Sequence, residues 1–92
     1  MLIKVQYTTQ LKAAIGVAEE SFDIAIGGTV ADILQAVADK HGDAFRQFAV
    51  DSHGALLPSI LLCVDDEQVS DGDGRTLAEG SVVTLLSAIS GG

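Results

Sequence analysis

The sequence predicts a small α+β domain, a mixed sheet of four to five strands with one main helix packed on one face. Three observations predict it. Apolar positions alternate at the start of the chain with the period of a strand, they recur from Val30 to Ala38 with the period of a helix, and a wholly apolar run, Ile60–Val64, follows that helix. A helix between strands crosses over the sheet and covers one of its faces. At 92 residues the chain has room for one core and not two.

Ile3, Val5 and Tyr7 lie on one side of the first strand, with Lys4 and Gln6 on the other. Residues 8–20 are small and mixed, with Gly16 among them, and read as the connection of an antiparallel hairpin. The returning strand carries Phe22, Ile24 and Ile26 in alternation with Ser21, Asp23 and Ala25. Thr29 followed by Asp32 has the spacing of a helix N-cap with an acid at the third helical position. Val30, Ile33, Leu34, Val37 and Ala38 then form an apolar stripe, and Gly42 supplies a stop. Residues 43–58 have apolar side chains without a clean period and read as a short helical turn and a loop. Ile60–Val64 is apolar at every position, as expected of a central strand covered on both faces. Asp65 and Asp66 turn the chain into a short strand around Gln68 and Val69, and residues 71–74 turn it again. The last strand spans residues 82–86. The division expected is a folded domain over 1–86 and a flexible C-terminal tail over 87–92, ending in Gly91 and Gly92.

Composition excludes several classes of function. The chain is 48% apolar, too hydrophobic for disorder, yet its longest unbroken apolar stretch is the five residues Ile60–Val64, far short of a membrane span. Five Lys plus Arg against thirteen Asp plus Glu give a net charge of −8, which argues against a nucleic-acid surface and for a basic groove on a partner protein. One cysteine, Cys63, cannot form an internal disulfide, and the first residues enter strand-like alternation without signal-peptide architecture, so the expected location is the cytoplasm. Mean hydropathy is +0.39, high for so small a chain, and a sheet face left without a helix is expected to be a partner surface.

Side chains suited to catalysis are scarce. His41 falls one turn beyond Val37 on the inner face of the helix and is expected to pack or cap there. His53 sits in an acidic loop and is expected to be solvated, while Cys63, inside an apolar strand, is expected in the core. Asp65, Asp66, Glu67, Asp71 and Asp73 do not have the spacing of a calcium loop in any register, and turn formation explains them better. No metal site and no catalytic set are expected. Two C-terminal glycines arise by chance about once in two hundred chains. Without Cβ atoms, Gly91 and Gly92 can thread a narrow channel and present the terminal carboxylate to a distant active site. A carboxylate presented to a partner's nucleotide site can attack ATP, giving an acyl adenylate open to a sulfur or amine nucleophile.

The ending LAEGSVVTLLSAISGG, residues 77–92, preceded by LPSILLCVDDE, residues 57–67, resembles the ubiquitin-like sulfur carriers of the MoaD/ThiS type. Among them are the small subunit of molybdopterin synthase and the carriers of thiamine and cysteine biosynthesis. The resemblance implies the β-grasp (ubiquitin-like) fold and a non-catalytic carrier or small subunit of a sulfur-transfer enzyme. A ubiquitin-activating-type enzyme, using ATP and Mg, would adenylate Gly92, and a sulfur donor would convert it to a thiocarboxylate. The tail Ser90, Gly91 and Gly92 would then enter an acceptor enzyme, such as a molybdopterin synthase large subunit or a thiazole-synthase-like or cysteine-synthase-like enzyme. The chain departs from many such carriers in having Asp65 and Asp66 in its hairpin turn, and Ser87 and Ala88 in place of prolines before the tail. Two other readings remain open: a protein modifier joined through Gly92 to lysines, and a non-covalent interaction module.

Overall fold

The computed structural model describes residues 1–70 and 72–87. Its elements are β1 (Leu2–Tyr7), α1 (Thr9–Ile15), β2 (Glu19–Asp23), α2 (Val30–His41), α3 (Asp43–Ala49), β3 (Ile60–Val64), β4 (Glu67–Val69) and β5 (Val82–Ser87). The five strands form one mixed sheet in the order β2-β1-β5-β3-β4. β1 and β5 run parallel at its centre, and the other pairs are antiparallel. This is the β-grasp arrangement that the sequence leads one to expect, with the 12-residue α2 as its main helix.

Alternation dictates which side chains meet the helices. Ile3, Val5 and Tyr7 of β1, Val83 and Leu85 of β5, and Ile60, Leu62 and Val64 of β3 point to the same side and are buried. Val30, Ile33 and Val37 close over them from α2, Leu11 from α1, and Phe45 and Ala49 from α3. The α2 N-terminus is held as the Thr29 and Asp32 spacing predicts, since the Asp32 carboxylate accepts the Thr29 N–H at 2.9 Å.

Five expectations need correction. The connection between β1 and β2 contains α1, whose single fully buried residue, Leu11, makes too weak a stripe to be seen in the sequence. Its one legible signal was Gly16, which ends the helix at φ 95° and donates its N–H to the Lys12 carbonyl at 2.8 Å. β2 lies earlier than expected, because β1 begins at Leu2 and pairs it with Asp23, so nothing remains to pair with Ile26, which is 91% exposed. The segment after Gly42 holds a two-turn helix, α3, rather than a single helical turn. β3 is covered on one face only: Leu61 is 40% exposed and Cys63 half-buried, so Cys63 is not in the core. At the other end β5 takes in Ser87, one residue beyond the expected strand.

Candidate functional site

Direct cross-strand partners share a face of the sheet, so the register defines the side without helices. Leu61 stands opposite Leu86, Cys63 opposite Thr84 and Gln68, and Lys4 opposite Val82. Leu61, Leu86, Cys63 and Val82 make an apolar strip across β3 and β5. A polar row borders it: the Thr84 hydroxyl donates to Gln6 Oε1 at 3.3 Å, Gln6 Nε2 donates to Glu19 at 3.4 Å, and Lys4 lies 3.8 Å from the same carboxylate. The Leu61 and Leu86 pair is the last on this face before β5 ends at Ser87. The apolar strip therefore leads directly to the start of the C-terminal segment. Ser90, Gly91 and Gly92 lie outside the described residues.

The opposite side of the sheet holds a polar knot. Glu20 of β2, with its side chain 11% exposed, accepts the Tyr7 hydroxyl at 2.6 Å, Lys40 Nζ at 2.6 Å and His41 Nε2 at 2.5 Å. Tyr7 and His41 also meet edge to face. The arrangement ties β1, β2 and the last turn of α2 together, and it gives His41 the packed role expected of it. Burial by itself would raise the Glu20 pKa, but the hydrogen bonds from Lys40, Tyr7 and His41 outweigh it and hold the carboxyl at about 2. Burial first, and then the Glu20 carboxylate, push the Tyr7 hydroxyl upward.

A depressed carboxyl stabilises the fold at pH values above its unfolded pKa of 4.5 and loses that contribution as pH falls through about 2. Replacing Glu20 with Gln is therefore expected to cost about 3 kcal/mol near neutrality, with the cost shrinking steadily between pH 5 and pH 2. Urea unfolding of the two proteins at a series of pH values measures this. A cost that does not change with pH would show that the charge on Glu20 is not what binds the knot.

The remaining candidates have structural partners. His53 is exposed, and its N–H donates to Asp51 Oδ1 at 2.8 Å within a turn. Asp65 and Asp66 both take positive φ, 49° and 73°, which makes the tight turn between β3 and β4. Asp65 Oδ1 also accepts the Val82 N–H at 2.9 Å. Arg75 bonds Glu67 at 2.9 Å and Asp73 at 3.3 Å and holds both carboxyls below their ordinary values. Asp71 lies outside the described residues. Among the described residues no group of three or more His, Cys, Asp or Glu is placed to hold a metal ion, and no helix is long and apolar enough to cross a membrane.

Residues 5–92 match the ThiS family, a match that runs through the strip, β5 and Gly92. The chain belongs to the ThiS family. No curated protein matches this ThiS family member in sequence. Among solved structures it is similar to SAMP1 of Haloferax volcanii, at 22% identity over 100% of both chains and a TM-score of 0.87. It is similar also to Urm1 of Trypanosoma brucei, at 21% identity over 99% of this chain and 95% of that one, with a TM-score of 0.78. A third is CysO, solved in a complex with BexX from Amycolatopsis orientalis, at 29% identity over 98% of this chain and 99% of that one, with a TM-score of 0.72. The first two likenesses show the fold. The ThiS family comprises small carrier or subunit proteins.

The sequence reading missed Glu20 as an acceptor of three hydrogen bonds. Its partners stand 13, 20 and 21 residues away along the chain, and no local pattern links them.

Proposed function

We propose that this ThiS family protein is a sulfur carrier that works through Gly92. The observation that carries the reading is that the family match extends to residue 92, taking in the two glycines. In this reading a ubiquitin-activating-type enzyme binds ATP and Mg, and the Gly92 carboxylate attacks the α-phosphorus of ATP, releasing pyrophosphate. A sulfur nucleophile then attacks the acyl carbon. The C–S bond forms as the C–O bond to AMP breaks. With hydrosulfide, loss of a proton leaves the thiocarboxylate directly; with a donor persulfide, a second thiol reduces the acyl disulfide so formed, releasing the thiocarboxylate and leaving a disulfide on the donor. The thiocarboxylate is anionic and nucleophilic, and the glycines carry it into the active site of a biosynthetic enzyme that accepts the sulfur. The structure of CysO in a complex with BexX supports docking of such a fold on a partner protein. The cytoplasm, where ATP is at hand, is the proposed setting.

Reaction of the C-terminal peptide with a thiol-directed alkylating agent, in a Cys63→Ser variant purified from its native cells, tests the proposal. A modified C-terminus is the expected result. An unmodified carboxylate, after incubation with the activating enzyme of the same cells, ATP and a sulfur source, would overturn it. Protein adducts through Gly92 would favour a protein modifier instead, a reading supported by the likeness to the small archaeal modifier protein.

Docking in this reading uses the apolar strip. Leu61→Lys places a charge where an acid-rich carrier meets its basic partner and disrupts the centre of the contact. It is expected to raise the KM for adenylation by about 10- to 100-fold, with stability changed by only about 0.5 kcal/mol because the side chain is on the surface. Titration of the activating enzyme with each protein reads the difference. An unchanged KM would remove the strip from the docking surface.

A further inference from the structure

The parallel ladder between β1 and β5 ends at the Tyr7 and Leu85 pair, because β1 stops there and the chain turns into α1. Ser87 lies two residues further on, past the last backbone partner that β1 can offer. Side-chain hydroxyls take over at this point. The Ser87 N–H donates to Thr8 Oγ1 at 3.3 Å, and Thr9 Oγ1 donates to the Ser87 carbonyl at 2.9 Å. The Ser87 hydroxyl donates to the Thr8 carbonyl at 2.8 Å, accepts the Leu11 N–H at 3.4 Å and meets the Thr9 hydroxyl. Thr9 reaches its place at φ 47°, in the left-handed region that a β-branched residue seldom enters unless its surroundings hold it there.

We infer that Thr8, Thr9 and Ser87 are positioning residues that fasten the root of the C-terminal segment, fixing the point from which the terminal carboxylate reaches an activating enzyme docked on the open sheet face. The inference rests on the carrier reading. Five residues follow Ser87 through Gly92, a reach of at most about 17 Å. Were Ser87 released from these hydroxyls, Leu86 would stay paired with Leu61 of β3, and the tether would lengthen to six residues and about 20 Å. Tether length alone would then lower the effective concentration of the carboxylate by about a quarter, and the larger loss is that of a fixed point of departure and orientation. Chemistry suffers in that case while docking through Leu61 does not.

Two variants separate this role from a structural one. Thr9→Gly removes the hydroxyl and at the same time relieves the positive φ, so its thermal midpoint is expected to hold or rise. Its kcat in ATP–pyrophosphate exchange, with the activating enzyme of the same cells, is expected to fall about 3- to 10-fold at unchanged KM. Thr8→Val removes the acceptor of the Ser87 N–H, and amide exchange at residue 87 is expected to quicken at least tenfold, with Thr8→Ser restoring it. A kcat that falls only in step with the thermal midpoint, or wild-type kcat in both variants, would overturn the inference and leave the carrier reading standing. Absence of pyrophosphate exchange with the unaltered protein would overturn the carrier reading and this inference together.

Discussion

Deletion of Gly92 is expected to abolish thiocarboxylate formation while leaving the fold intact. The new terminal carboxylate, on Gly91, would fall about 3.5 Å short of its former reach. Misplacement of a reacting atom by about 1 Å can cost about a hundredfold in rate, so a loss beyond about a thousandfold is expected. Among the described residues the sheet is complete at Ser87, where β5 ends after closing it between β1 and β3. The thermal midpoint should therefore match that of the full chain. The measurement is pyrophosphate exchange beside a melting curve. Activity retained by the shortened protein would mean that the reacting carboxylate is not placed by tail length, and would move the balance toward a non-covalent interaction module.

Phe45→Ala is expected to have the largest effect on stability. Phe45 is 1% exposed and belongs to α3, a helix of seven residues that holds to the rest of the domain through Phe45 and Ala49. Helices this short do not persist without tertiary support. Truncating a buried Phe to Ala costs about 3–5 kcal/mol, a large part of the roughly 5–14 kcal/mol that holds a domain of this length together. The thermal midpoint should fall by about 15–30 °C. Phe48, three residues on in the same helix and 45% exposed, is the control: Phe48→Ala should cost about 1 kcal/mol or less. Equal costs for the two would show that α3 is not anchored as the buried surface indicates.

The elements with a strong period were legible at once. Ile3, Val5 and Tyr7 marked β1, and the stripe from Val30 to Ala38 with Thr29, Asp32 and Gly42 marked α2 nearly to the residue, because each buries a regular face and carries its own end signals. α1 was not legible, since one buried leucine in seven residues leaves no stripe to read. The apolar run Ile60–Val64 was identified as a strand, but its surroundings were misread. Unbroken apolarity suggested cover on both faces, whereas Leu61 and Cys63 lie on the face that the helices do not reach. Local sequence records which residues avoid water, not whether a helix or a partner protein is to exclude it.

The ending offered by Gly91 and Gly92, the acid-rich charge balance and the order of strands and main helix were determined by the sequence alone, because each is a property of neighbours along the chain. Tertiary structure alone decided the Tyr7, Glu20, Lys40 and His41 knot, the apolar strip of Leu61 and Leu86, and the fastening of Ser87 by Thr8 and Thr9. Ser87 stands 79 residues from Thr8. Contacts at that separation exist only once β5 has inserted beside β1, and the closure of the sheet, rather than any local preference of a serine or a threonine, brings their hydroxyls together.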